Sequence, residues 1–163
     1  MFADAPVFLL LVLAGWTDWR KRKIANKLVW PFLISGLLVQ TSEGNGWRSL
    51  VGLCVAFLLT VLPVLCRGMG MGDQKLLMAV GAWTGGGEVY TLFIYSLCSC
   101  IFAALLMPTR WRVLLYNLRL AAIGWVSHRM LWLPSVEKSA WAIPYAVHLL
   151  FAFLFIKMAE VLK

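Results

Sequence analysis

Six stretches of this chain contain no Asp, Glu, Lys or Arg, and they limit what it can fold into. They are Ala5–Thr17, Leu28–Ser42, Ser49–Cys66, Leu76–Gly87, Val89–Thr109 and Ser139–Ile156. A helix that spans a bilayer needs roughly 20 mostly apolar residues, so the first and fourth stretches are short. Hydrophobic residues make up 62% of the 163 residues, which is more apolar surface than a soluble domain of this size buries. The pattern predicts an all-α integral membrane protein, a six-transmembrane helix bundle that forms a single membrane-embedded domain over residues 1–163.

The basic residues orient this bundle. Twelve of the 15 Lys and Arg residues lie in the first, third and fifth connections between the spans, and the others are Arg48, Lys157 and Lys163. Because cytoplasmic connections carry an excess of Lys and Arg, we expect these three connections to face the cytoplasm and both termini to lie outside. The net charge of +8 is then explained by topology and by contact with an anionic inner leaflet, so no nucleic-acid partner is expected.

Two carboxylates lie at the ends of spans on the predicted cytoplasmic side. Asp18 follows the first span in "WTDWRKRK", and Asp73 precedes the fourth in "GMGMGDQK". An acid at this depth is costly unless it is paired or hydrated, and two acids at matched depth are a candidate aspartyl dyad. Peptide hydrolysis by a dyad needs one ionised carboxylate to accept a proton from water and one protonated carboxyl to polarise the scissile carbonyl. This chemistry needs no metal or other cofactor, and none is expected.

Each acid also has a simpler interpretation. Asp18 would neutralise the basic run that follows it, and Asp73 would cap the N-terminus of a helix. The glycines favour a functional site, because Gly68, Gly70 and Gly72 alternate before Asp73 and disfavour a regular helix. Irregular backbone at membrane depth is tolerated where it lines protein or a wet cavity, so a water-accessible cleft is expected beside Asp73.

Two other function classes fit acids at a membrane edge. One is a small ion-coupled carrier, because ionisable groups in membranes often mark transport paths. The other is a non-catalytic membrane subunit of a pilus or secretion assembly. The spans show no evident inverted repeat, and both acids lie at one face, which favours the peptidase over the carrier.

Three segments carry a resemblance to a known family. "GMGDQKLL", residues 70–77, resembles the Gly-x-Gly-Asp-x-Lys-Leu signature of the GxGD aspartyl proteases in the form used by type IV prepilin peptidases. "DWRKRKIANKL", residues 18–28, is similar to that family's Asp-x-Arg-x-x-x-Ile-Pro-Asn pattern, and "IPYAVHLL", residues 143–150, resembles the Pro-Tyr segment of its small tight-adherence-type members. The resemblance implies that Asp18 and Asp73 are the catalytic pair. The supporting residues that it implies are Gly70, Gly72, Lys75, Arg20, Asn26, Pro144 and Tyr145.

The resemblance also implies a substrate and a location. The substrate would be a type IV prepilin or pseudopilin precursor in the bacterial inner membrane, cut between its short basic leader and its hydrophobic segment. The larger family members carry a cysteine-bearing cytoplasmic insertion and methylate the new N-terminus. This chain has four cysteines, none in a Cys-x-x-Cys pair, and it lacks that insertion, so we expect a peptidase without methyltransferase activity.

The match departs from the family pattern at two positions. Ala25 stands where the family usually has proline, which removes a fixed backbone dihedral but no reactive group. Ala146 stands where the family has glycine after the tyrosine. The sequence leaves open which pilin is cut, the residues preferred around the cut, the oligomeric state and whether the bundle rearranges to bring the two acids together.

Overall fold

The computed structural model describes residues 4–66, 68–106 and 144–162, and every regular element in these ranges is an α-helix. The helices are α1 (Asp4–Lys21), α2 (Asn26–Ser42), α3 (Gly46–Leu65), α4 (Met71–Thr84), α5 (Gly86–Leu105) and α6 (Tyr145–Val161). Each overlaps one predicted span, which confirms the all-helical prediction. All of the predicted fifth connection, the end of the fifth span and the start of the sixth span lie outside the described residues. Among the described helices, α3 and α5 are long and apolar enough to cross a membrane, and six crossings stay a prediction.

The chain divides into two compact units. Residues 1–100 and 144–163 form the first, and residues 101–143 form the second. In the second unit the structure describes the end of α5. All the predicted site residues belong to the first unit. A single domain over residues 1–163 stays a prediction.

Helix α4 lies at the centre of the first unit, packed against α2 and α3. Its buried residues are Leu76, Leu77, Ala79, Val80, Gly81, Ala82, Trp83 and Thr84. Two glycines allow α3 and α4 to approach closely, because a Cβ added to Gly52 would overlap the Gly81 carbonyl. Small residues at such a crossing are typical of helices that pack by close backbone contact.

Side chains from α2 and α3 hold the C-terminal end of α4. The last carbonyl groups of a helix have no partner within the helix. Three side chains donate hydrogen bonds to these carbonyl groups: Ser49 Oγ to Ala82 O at 2.6 Å, Gln40 Nε2 to Trp83 O at 2.7 Å, and Arg48 Nη2 to Thr84 O at 3.0 Å. These bonds fix α4 along its axis, so the residues of its first turn are positioned by a helix that is anchored at its other end.

The structure corrects two sequence predictions around α4. The fourth apolar run extends to Gly87, but α4 ends at Thr84 because Gly85 has a φ of 91°, in the left-handed region that favours glycine. The alternating glycines predict irregular backbone through Gly72, but α4 begins at Met71, so Gly72 lies in its first turn. The irregular segment is therefore shorter than the glycine pattern suggests.

Helices α1 and α6 pack against each other in opposite directions. Near the start of α1, the Asp4 carboxylate lies 2.8 Å from Lys157 Nζ, close to the end of α6. Near the end of α1, Asp18 contacts the first turn of α6 through Ala146. The first unit thus has two distinct ends. We call the end with Asp18 and Asp73 the acid-pair end. The ion-pair end is defined by Asp4, Arg48, Glu88, Lys157 and Glu160.

Candidate active site

Asp18 lies in the last turn of α1 and is 7% exposed. Its Oδ2 accepts a hydrogen bond from the backbone N–H of Ala146, at 3.2 Å. Ala146 is the second residue of α6, where backbone N–H groups lack partners within the helix and where the helix dipole favours a negative charge. Pro144, the N-cap of α6, contributes no side-chain hydrogen bond. Asp18 therefore caps α6 from another helix, a role that is invisible in the sequence around it.

Asp73 lies in the first turn of α4, three residues after the N-cap Gly70. Its Oδ2 accepts a hydrogen bond from the Gly70 N–H at 3.3 Å. Asp73 is therefore not itself the N-cap: its side chain, three residues after the cap, accepts from the N–H of the cap, which is one half of a capping box, since Gly70 has no side chain to form the other half.

The two glycines of the "GMGD" segment have separate steric reasons. Gly70 has an ordinary φ of −75°, so its backbone does not require glycine, but a Cβ there would lie 3.0 Å from Asp73 Oδ2. A Cβ on Gly72 would lie 3.3 Å from the Cβ of Ile24. Gly70 thus leaves room for the Asp73 carboxylate. Gly72 lets α4 approach Ile24, in the segment that follows α1. Asp18 lies in the last turn of α1.

The charge of Asp18 acts on Asp73, and both acids lie outside the apolar runs. Burial raises the pKa of Asp73 to about 7, the charge of Asp18 also raises it, and the Gly70 N–H opposes this rise. Burial raises the pKa of Asp18 as well, while the Ala146 N–H and the Arg22 guanidinium oppose the rise. Carboxyl groups that interact lose their protons in coupled steps, and the raised pKa of Asp73 is compatible with one proton on the pair near neutral pH.

A further contact joins two of the predicted supporting residues. Lys75 Nζ donates a hydrogen bond to Asn26 Oδ1 at 3.2 Å, which ties the start of α4 to the start of α2. Together with the Gly72–Ile24 approach, this bond orients the first turn of α4 against the chain that leads out of α1.

Arg20, also predicted as supporting, is exposed, and its guanidinium carbon lies 5.3 Å from the centroid of the Trp16 ring. The basic side chain whose charge acts on Asp18 is that of Arg22, two residues later. Helical spacing places Arg22 one turn after Asp18, which is the signal in the sequence that would have found it.

The predicted Pro-Tyr segment also reaches this end of the unit. Tyr145, the first residue of α6, is buried, and its hydroxyl lies 2.8 Å from Ser96 Oγ of α5. Tyr145 and Cys100 both lie within electrostatic reach of Asp73. Sequence reasoning missed Ser96, because a serine in an apolar helix has no motif. The spacing of Ser96 and Ser99, three residues apart on one helix face, is the signal that was available.

The chemistry available here is that of two carboxyl groups near one another. In the described parts of the chain, no group of three or more His, Cys, Asp or Glu side chains is arranged to hold a metal ion. A carboxyl group whose pKa is raised to about 7, as that of Asp73 is, is suited to proton transfer with water or a carbonyl group. The roles of individual residues, and the water-accessible cleft, stay predictions.

A model of a known protein family matches the part of the chain that contains this site. The model of the type IV leader peptidase family matches residues 6–107. This range contains α1 apart from its first two residues, helices α2 to α5 and both acids, and it ends before α6. Searches of curated proteins and of solved structures found no match.

Proposed function

Because this chain belongs to the type IV leader peptidase family, we propose that it is an aspartic endopeptidase that removes the leader of a type IV prepilin or pseudopilin precursor. The observation that carries this proposal is that Asp18 and Asp73 come from the ends of two helices at one end of the first unit and that the charge of Asp18 acts on Asp73. Family membership supports a protease, and the acid pair supports the aspartic mechanism.

The two acids have different roles in this mechanism. Asp18 is the ionised partner, because its Oδ2 accepts the Ala146 N–H at the positive end of α6. Asp73 is the protonated partner, because burial and the neighbouring charge raise its pKa to about 7. Asp18 accepts a proton from a water molecule as that water attacks the scissile carbonyl, and Asp73 donates its proton to the carbonyl oxygen. As the C–N bond of the tetrahedral diol breaks, Asp18 transfers its proton to the leaving amine and Asp73 takes a proton back from a diol hydroxyl, so both acids return to their starting states and no acyl-enzyme forms.

The membrane arrangement extends this proposal. Family membership and the two apolar helices α3 and α5 point to a membrane protein. We assign six crossings of the bacterial inner membrane, with the acid-pair end at the cytoplasmic face and both termini outside. The basic residues support this orientation, since the connection that follows Asp18 contains Arg22 and Lys23, while the ion-pair end contains few bases.

The proposed position of the acid pair at the cytoplasmic face of the membrane indicates the class of substrate. A prepilin has a short basic leader in the cytoplasm and a hydrophobic segment in the membrane, so its cleavage site would lie at the level of Asp18 and Asp73. A negative pair at that level attracts a basic leader. Because the chain lacks the cysteine-bearing insertion of the larger family members, we propose that it does not methylate the product.

Cleavage of a precursor tests this function. A candidate prepilin is co-expressed with the chain in cells that lack their own peptidase, and maturation is followed as a size shift on a gel. The parental chain should mature the precursor, and Asp18→Asn and Asp73→Asn should not, at equal membrane levels. If either variant accumulates normally and matures the precursor at the parental rate, the dyad is wrong, and the carrier or the assembly subunit becomes the better interpretation.

Reporter fusions test the topology. Fusions at Lys23, Lys75 and Arg119 should score as cytoplasmic, and fusions at Asn45 and Gly86 should score as external. Opposite locations for Lys23 and Lys75 would place the two acids on different faces and exclude the proposed pair.

A further inference from the structure

Two polar contacts join α5 to α6 inside the first unit. Ser96 Oγ lies 2.8 Å from the Tyr145 hydroxyl, and Ser99 Oγ lies 2.8 Å from His148 Nδ1. The serines are three residues apart on α5, and their partners are three residues apart on α6, so each pair is one helical turn from the other. Polar contacts between apolar helices fix their relative position along the helix axis.

The first of these contacts has a defined direction. Ser96 Oγ also donates a hydrogen bond to the Phe93 carbonyl at 2.8 Å. A serine hydroxyl has a single hydrogen, so Ser96 uses it on Phe93 and accepts from Tyr145. The Tyr145 hydroxyl is therefore the donor, and both side chains are buried. Replacing Tyr145 by Phe removes this donor while keeping the ring.

Tyr145 is adjacent in the chain to Ala146, whose N–H is the backbone donor to Asp18. The position of that N–H depends on where the first turn of α6 lies. The N-cap of α6 contributes no side-chain hydrogen bond, and Tyr145 is the residue of that turn that is tied to α5. A path of contacts thus leads from Ser96 through Tyr145 and Ala146 to the Asp18 carboxylate.

We propose that Tyr145, held by Ser96, is a positioning residue that keeps the Ala146 N–H on Asp18 and so keeps that carboxylate ionised and correctly placed beside Asp73. The contact between Ser99 and His148 is a second tie one turn further along α6. This inference rests on the proposed peptidase function, and it assigns a role to two residues that take no part in proton transfer.

The charges around Asp18 determine how a change at Tyr145 would alter the pH dependence of cleavage. Burial disfavours the ionised form of Asp18, whereas the Ala146 N–H of α6 and Arg22, which follows α1, favour it, and the charge of Asp18 acts in turn on Asp73 of α4. Tyr145 of α6 and Cys100 of α5 lie near Asp73. When the first turn of α6 moves, the Asp18 carboxylate loses the hydrogen bond from the Ala146 N–H that stabilises its ionised form, so Asp18 ionises only at higher pH. The acid limb of the profile of kcat against pH then moves to higher pH.

The experiment measures kcat and KM for cleavage of a prepilin between pH 5 and pH 9 with full-length enzyme in detergent or membranes. In Tyr145→Phe and Ser96→Ala, the acid limb should move to higher pH, and kcat at pH 6 should fall roughly 10-fold with KM little changed, because a hydrogen bond to a charged group is weakened. Ser96→Thr, which keeps a hydroxyl, should retain the parental profile. The matched control is Tyr95→Phe, since Tyr95 is an exposed residue of the same helix whose ring contacts Phe155.

The outcomes separate this inference from the function on which it rests. A parental enzyme that fails to cleave any prepilin at any pH overturns the proposed function. A parental enzyme that cleaves, with a Tyr145→Phe profile that coincides with the parental one, overturns the positioning role alone. A loss that is equal at every pH and follows the amount of folded protein also overturns it, because that is the result of a merely structural contact.

Discussion

The two ends of the first unit use acidic side chains in opposite ways. At the ion-pair end, carboxylates lie beside bases: Glu88 is 2.7 Å from Arg48, and Asp4 and Glu160 are 2.8 Å and 2.9 Å from Lys157. At the acid-pair end, Asp18 and Asp73 each accept a hydrogen bond from a backbone N–H, and the charge of Asp18 acts on Asp73.

The difference teaches what a reactive carboxyl pair requires. A base in direct contact with a carboxylate holds it in a charge-assisted hydrogen bond. A single backbone N–H positions an oxygen without adding a full positive charge. The acid-pair end therefore holds two carboxyl groups in place and still allows one of them to keep a proton.

The largest expected effect compares the acids of the two ends. Asp18→Asn and Asp73→Asn should each lower cleavage by about 10² to 10⁴-fold, because general acid and base catalysis contribute about that much. The double variant should be scarcely worse than either single one, since the two acids act as one unit. Precursor and mature pilin are measured against the membrane level of each variant.

The controls for this comparison come from the ion-pair end. Glu88→Gln and Glu160→Gln remove carboxylates that are paired with bases, so each should process the precursor at close to the parental rate. A loss in Glu88→Gln as large as that in Asp73→Asn would show that the two ends do not differ in the way described.

A smaller effect on cleavage is expected when one glycine at each end of the first unit is replaced by alanine. A Cβ on Gly70 would lie 3.0 Å from Asp73 Oδ2, so Gly70→Ala should push the carboxylate and lower kcat roughly 10-fold, because reactivity falls steeply when a catalytic group is misplaced. A Cβ on Gly87, at the other end, would meet nothing within 4 Å, so Gly87→Ala should leave cleavage unchanged. Equal activity of the two alanine variants would contradict the steric role of Gly70.

The smallest expected effect is on stability and depends on pH. The pKa of Asp73 is raised to about 7 from an ordinary value of 3.8, so between these pH values the folded form holds a proton that the unfolded form has released. The free energy of unfolding of the parental protein therefore falls as pH rises through this window. Asn does not ionise, so the Tm of Asp73→Asn relative to that of the parental protein should rise by several degrees between pH 5 and pH 8.

Thermal unfolding in detergent at the two pH values checks this. Glu88→Gln is again the counterpart, since an exposed ion pair contributes little to stability and the difference in Tm from parental should hardly change with pH. A Tm difference for Asp73→Asn that is constant or that shrinks as pH rises would mean that Asp73 is not held as a protonated acid in the folded protein.

Much of the helical architecture and the central acids could be predicted from the sequence. The apolar runs locate all six described helices, because helix formation in an apolar stretch is a local property. The boundaries were less predictable: Gly85 ends α4 through its left-handed backbone, and Gly72 joins the first turn of that helix. Both depend on how the flanking turns close, which composition does not reveal.

By itself, the sequence determined that this chain forms apolar helices and that Asp18 and Asp73 stand at helix ends beside short, recognisable segments. Only the tertiary structure decided which groups meet those acids. Ala146 donates to Asp18 across 128 positions of the chain, and Lys75 reaches Asn26 across 49. Such partners depend on which helices are neighbours and how each is rotated about its axis, and these are set by packing over the whole unit, not by the residues adjacent in the chain.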